Sequence, residues 1–104
     1  MGAQAANPAS FEVQDHDRSL VSGSLDFNTV GRLLPVGSEA IGRGRATVLD
    51  LAGVTASDSA GLALLIEWLS VARASRRSLN YENVPLQLQQ LARLSEVEEL
   101  LMTA

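Results

Sequence analysis

The spacing of apolar residues changes several times along the chain, and each change predicts an element. From Phe11 to Gln14 apolar and polar residues alternate, which puts Phe11 and Val13 on one side of a half-buried strand. Asp15 to Arg18 has turn composition. "SLVSGSLD", Ser19 to Asp26, reads as a second strand, antiparallel to the first through that turn. Phe27 to Ile41 carries Val30, Leu33, Leu34 and Ile41 at roughly helical spacing, but Pro35 and Gly37 predict a weak or broken helix. "GRGR", Gly42 to Arg45, reads as a loop. Ala46 to Val54 is a β-branched, continuous run, as expected of a strand covered on both faces.

Ser59 to Ser75 is the clearest helix, Arg77 to Val84 returns to a strand, and Pro85 to Leu94 is a helix with proline near its first turn. Ser95 precedes Glu98 by three residues, a capping-box signature for a short terminal helix. The strand–helix–strand unit from Ala46 to Glu82 predicts a right-handed parallel crossover. The fold class is therefore α/β: one domain with a mixed sheet, an antiparallel hairpin plus a parallel βαβ unit, and helices packed against it. That domain is expected over residues 11–104. Residues 1–10, rich in Ala, Asn, Pro and Ser, are expected to be a flexible tail.

The long helix carries more apolar surface than one buried face requires. At about 100° per residue, Leu62, Leu65, Ile66 and Leu69 share one side, with Ala72 at its edge. Leu64, Trp68 and Val71 point to the other. The second stripe packs either on a neighbouring helix of the same domain or on a partner protein, where tryptophan is a common anchor.

Composition narrows the function. There are 104 residues, no cysteine and a single histidine, His16, so thiolate chemistry is excluded and no metal or cofactor is expected. The net charge is −4, with all eight basic residues arginine, which argues against a nucleic-acid surface. "MGAQAANPAS" has no basic start and no apolar core of a signal segment. Leu62 to Ala74 is too short and interrupted to span a bilayer, so a cytoplasmic protein without direct membrane insertion is expected. No phosphate-loop or dinucleotide motif occurs, and Ser59 lacks a nucleophile-elbow setting. The carboxylates Asp26, Asp50 and Asp58 read as loop caps, and no enzyme activity is expected.

The junction "SDSAG", Ser57 to Gly61, is the candidate site. A helix starting near Ser59 leaves its first N–H groups without partners. Asp58 or Ser59 can cap them, and a negative charge suits that end of the helix. One cap is enough for stability, yet three small polar residues stand in a row before Ala60 and Gly61. Such a junction stays open to close approach, so its hydroxyl can carry a phosphate or dock into a partner.

"VLDLAGVTASDSAGLALLIEWLSVARAS" and the sequence after it resemble the STAS domain, the fold of bacterial anti-sigma-factor antagonists. In that family a strand ending in Asp-Leu, here Asp50-Leu51, is followed by Asp-Ser/Thr-x-Gly, here Asp58-Ser59-Ala60-Gly61. "SGSLD", Ser22 to Asp26, is similar to the family's Gly-x-Leu-Asp segment. Within the family, "GLALLIEWLSVAR" and "LQQLARLSEVEELL" are most similar to the small B subunits of Mla phospholipid-trafficking ABC transporters. That resemblance implies an accessory subunit bound to the transporter ATPase, and through it to the inner-membrane permease, peripheral to that membrane. It places Ser59 where those subunits carry a functional threonine, and Leu34 near a tryptophan of the ATPase contact. The expected partner-binding residues are Ser57, Asp58, Ser59, Ala60, Gly61, Leu64, Trp68 and Leu34. The alternative implied by the wider family is an anti-sigma-factor antagonist, switched by a serine kinase that phosphorylates Ser59.

Overall fold

The structure is a computed structural model that describes residues 9–102. Its elements are β1 (Ser10–Val13), β2 (Arg18–Leu25), α1 (Val30–Gly42), β3 (Val48–Ser57), α2 (Ser59–Ala74), β4 (Asn80–Glu82), α3 (Leu86–Leu94) and α4 (Glu98–Met102). The sheet order is β1-β2-β3-β4. β1 and β2 form the expected antiparallel hairpin, and β2, β3 and β4 are parallel neighbours joined through α1 and α2. The first eight residues of the expected tail lie outside the described residues; Ala9 is already buried and Ser10 pairs with Ser22.

Burial alternates along β2: Ser19, Val21, Gly23 and Leu25 are buried, and the residues between them are half-exposed. Leu49 and Leu51 continue the buried face in β3, while Asp50 lies on the other side in register with Leu20 and Glu82. The sheet is therefore covered on one face only, which corrects the expectation that β3 is covered on both. The open face is polar: Arg18 pairs there with Glu82 and, at 3.9 Å, with Asp50. Asp50 also accepts from Asn83 Nδ2 at 2.9 Å and from the Ala52 N–H at 2.9 Å. These bonds, Asn83 first, hold its carboxyl below the ordinary value.

The second correction concerns α1, which is one continuous helix despite Pro35 and Gly37. Pro35 forfeits a bond to the carbonyl of Gly31, but both residues are exposed, so water can take that carbonyl. Gly37 is buried because Trp68 of α2 lies against it. A Cβ there would stand 2.4 Å from Trp68 Cζ2 and 2.5 Å from Cε2. The glycine thus allows two helices to approach, rather than ending one of them. Trp68 is fully buried, packs edge-on against Phe11 with ring centroids 5.5 Å apart, and donates from Nε1 to the Leu34 carbonyl at 3.3 Å.

The second apolar stripe of α2 is consequently intramolecular. Leu64 and Trp68 are both buried, and their expected role as partner-facing side chains is corrected. On the opposite side Leu65 is fully buried, and its carbonyl accepts from the Tyr81 hydroxyl at 2.6 Å, tying α2 to β4. Burial holds the Tyr81 hydroxyl well above its ordinary pKa, so it remains a donor. The capping box expected at Ser95 does not form. Ser95 ends α3 instead, and Glu98 turns to Arg93 at 3.1 Å.

Candidate functional site

The three small polar residues at the start of α2 have three different roles. Ser57 ends β3 as a buried residue; its N–H donates to Gln87 Oε1 of α3 at 3.1 Å and its hydroxyl donates to the Asp58 carbonyl at 3.2 Å. Asp58 is the helix cap, in extended conformation, with Oδ1 accepting from the Ala60 N–H at 2.8 Å. Its own N–H donates to the Leu25 carbonyl at 3.2 Å, fastening the junction to the end of β2. Gly61 is needed for that approach, because a Cβ would stand 2.1 Å from Ser57 Oγ and 2.9 Å from the Leu25 carbonyl oxygen. Ser59 is left with neither task. It is exposed in the first turn of a sixteen-residue helix.

Two shallow apolar grooves flank Ser59. One, of about 350 Å3, lies between α1 and α2; Phe27, Val30, Leu34, Ala60 and Ala63 line it, with Leu64 among its inner residues. The other, of about 450 Å3, lies toward α3 and is lined by Ser57, Asp58, Ser59, Gln87, Leu91 and Leu94. Each carries a large apolar side chain in solvent: Phe27 is 85% exposed and Leu94 is 83% exposed. Leu34 is half-buried in the first groove, on the same side of the domain as Ser59. Ser57, Asp58, Ser59, Ala60, Gly61 and Leu34 are thus brought together, whereas Leu64 and Trp68 lie beneath them in the core.

Phe27, Leu91 and Leu94 do not stand out in the sequence as site residues. A signal existed for Phe27, an aromatic between the turn formers Asp26 and Asn28. Asp26 holds that turn: Oδ2 accepts from the Ser24 hydroxyl at 2.9 Å and Oδ1 accepts from the Asn28 N–H at 2.8 Å. These bonds, Ser24 first, keep the Asp26 carboxyl below its ordinary value. The aspartate of "SGSLD" is therefore a brace that presents Phe27 to solvent. Among the described residues no cluster of His, Asp or Glu is placed to hold a metal ion, and no helix is long and apolar enough to cross a membrane.

A mixed sheet with helices on one face and an open, hydroxyl-bearing helix start defines an α/β domain with the STAS architecture. The chain belongs to the STAS family in its MlaB-like branch: the family described as "Mlab, STAS domain" matches residues 12–103. Among solved structures, the anti-sigma factor antagonist SpoIIAA in its unphosphorylated form has a TM-score of 0.63 at 18% identity, covering 83% of this chain and 82% of that one. The phosphorylated form of SpoIIAA, a Bacillus cell fate determinant, has a TM-score of 0.66 at 18% identity, covering 90% and 88%. The crystal structure of Mglu shares the fold over 74% of this chain and 20% of its own, with a TM-score of 0.57 and 22% identity. No curated protein matches the sequence.

Proposed function

We propose that the chain is a non-enzymatic regulatory subunit that binds the ATPase of an Mla-type lipid-transport ABC transporter and supports its activity, in a system that maintains outer-membrane lipid asymmetry. The observation that carries this reading is the exposed Ser59 hydroxyl between two apolar grooves topped by Phe27 and Leu94. Such an arrangement suits docking: apolar side chains supply desolvation energy, and a central hydroxyl supplies one directional hydrogen bond. Membership of the MlaB-like branch supports an ATPase as the partner. In this reading the protein is cytoplasmic and meets the inner membrane only through the ATPase and its permease.

One observation favours a second reading. Ser59 is exposed in the first turn of α2, where the helix dipole would stabilise a phosphate. The likeness to SpoIIAA, solved in both phosphorylated and unphosphorylated forms, supports a phosphorylation-switched anti-sigma-factor antagonist. Affinity purification of the tagged full chain from its native host, with identification of what comes with it, separates the two. The transporter ATPase and permease are expected. Recovery of a serine kinase and an anti-sigma factor in their place overturns the first reading in favour of the second.

A further inference from the structure

The end of the domain opposite Ser59 gathers most of its positive charge. β2, β3 and β4 begin there, in register at Arg18, Val48 and Asn80, and α1 and α2 both end there. α1 leaves through Arg43, Gly44 and Arg45, and α2 through Arg73, Arg76 and Arg77. The two exits touch: a Cβ on Gly44 would stand 2.5 Å from a guanidinium nitrogen of Arg77, and one on Gly42 would stand 3.6 Å from Ser75 Oγ. These are five of the eight arginines of a chain whose net charge is −4. Arg43 pairs with Glu39 at 3.5 Å; among the described residues the other four have no carboxylate at ion-pair distance. Asp15 and Asp17 are at the same end, in the turn between β1 and β2, and the Asp17 carbonyl accepts from the Thr47 N–H two residues beyond Arg45; among the described residues neither carboxylate is at ion-pair distance from these arginines.

Helix capping accounts for only part of this cluster. Arg73 lies in the last turn of α2, where a cation suits the helix dipole. Arg76 is different. α1 and α2 close in the same way, with Arg45 N–H donating to the Ala40 carbonyl and Arg77 N–H donating to the Ala72 carbonyl, each at 2.8 Å. The residue before that donor is left-handed in both: Gly44 at φ 74° and Arg76 at φ 58°. α1 uses the residue that adopts this conformation without strain, whereas α2 places an arginine there and α3, closing through the Val97 N–H to the Ala92 carbonyl at 2.8 Å, places Glu96 at φ 61°; the closure itself therefore does not call for a cation at Arg76. Beside it, Leu69, Ala72, Leu79 and Leu100 line a groove of about 330 Å3 with Arg73 and Arg77 on its wall.

We propose that this end of the domain binds a short acidic segment of a partner protein, one apolar side chain entering the groove while flanking carboxylates pair with Arg73 and Arg77. Guanidinium groups match carboxylates in a two-bonded geometry, and an apolar groove suits a side chain rather than a flat charged surface. The overall negative charge selects against large polyanions. A bilayer or a nucleic acid meets the whole field of the protein, while a short segment stays within about 10 Å, the screening length, of the arginines. α2 is sixteen residues long. At ~1.5 Å per residue it puts about 24 Å between this site and Ser59, so the two surfaces are separate.

The test uses the full chain and fluorescein-labelled synthetic peptides, each with one Leu, Phe or Trp flanked by glutamates, against counterparts with glutamines. Binding is read by fluorescence anisotropy. Sedimentation with phosphatidylglycerol–phosphatidylcholine vesicles and binding of a labelled DNA duplex are measured in parallel. At least one glutamate peptide is expected to bind, with its glutamine counterpart and the Arg73→Gln/Arg77→Gln variant each weaker by tenfold or more. Ser59→Glu is expected to bind like wild type. Three results overturn the proposal: no glutamate peptide binds better than its glutamine counterpart, the double variant binds undiminished, or vesicles or DNA bind through the arginines while the peptides do not.

Discussion

Replacing Gly37 with alanine tests how the two long helices meet. On helix propensity alone the change should stabilise α1 by up to about 1 kcal/mol. The new Cβ, however, would stand 2.4 Å from Trp68 Cζ2, 2.5 Å from Cε2 and 2.7 Å from Nε1. Carbon contacts settle near ~3.5 Å, so the indole must move by about 1 Å. It has nowhere free to go, since Trp68 is fully buried with Phe11 against its ring. Overpacking of this kind typically costs roughly 1–3 kcal/mol. Weakening the Trp68–Leu34 hydrogen bond adds about 0.5–1.5 kcal/mol. Set against the propensity gain, Gly37→Ala should lose about 1–3 kcal/mol, a sizeable share of a typical ~5–15 kcal/mol domain stability. Gly31, in the same helix, has nothing within 4 Å of an added Cβ, so Gly31→Ala should be neutral or stabilising. Urea unfolding followed by fluorescence of the single tryptophan reads both variants at the residue concerned. If Gly37→Ala is as stable as wild type, Trp68 does not pack on α1 and the burial of the second stripe is misassigned.

Trp68→Ala and Leu65→Ala should both destabilise severely, by roughly 2–5 kcal/mol, because both side chains are fully buried; chemical denaturation showing only a minor loss for Trp68→Ala would contradict its place in the core. Ser19 is buried in β2 and its hydroxyl has no hydrogen-bond partner among the described residues, so Ser19→Ala should hold or raise stability by about 1 kcal/mol in the same assay, and a clear loss would reveal a bond to that hydroxyl. Asp26 and Asp50 are both held below their ordinary value of 3.8, which makes the folded state the more acidic one. Their stabilisation is therefore complete above pH 3.8 and is lost as pH falls through the lower folded value; denaturant midpoints against pH should fall less steeply on that limb for Asp50→Asn than for wild type.

The sequence made the elements more legible than their surroundings. β2, β3 and α2 were readable from period and composition, because an alternating or helical pattern is a local property. The error at Gly37 arose because a buried glycine in a helix is explained only by a side chain 31 residues away, Trp68, reaching it across the core. The one-sided burial of β3 did leave a trace: Asp50 stands between Leu49 and Leu51, and its polar side marks the open face. The two stripes of α2 were visible, but helical angle cannot say which element covers the second. At the site, Asp58 was readable as a cap, and the separate roles of Ser57 and Ser59 were not. Both are small polar residues in the same local sequence, and only the tertiary contacts to Gln87 and Gly61 turn one inward and leave the other in solvent. The exposure of Phe27 and Leu94 had the same origin, since an apolar residue in a turn or at a helix end is buried or bare according to what folds over it.

The affinity of the purified transporter ATPase for the wild-type chain, for Ser59→Glu and for Phe27→Ser, measured by isothermal titration calorimetry, tests the central claim most directly. Ser59→Glu should remain folded, because a carboxylate is tolerated in a first helical turn. In a closed interface its added charge would be desolvated beside Asp58 and leave a partner group without its bond, a cost of at least ~1–3 kcal/mol, or roughly ten- to hundredfold in affinity. Phe27→Ser removes an exposed side chain whose burial would contribute about 1.5–3 kcal/mol, so a similar loss is expected. Glu12→Gln, on exposed β1, serves as the control and should bind like wild type. Wild-type affinity in folded Ser59→Glu and Phe27→Ser together would contradict the account, leaving Ser59 as an ordinary first-turn residue and placing the docking surface elsewhere.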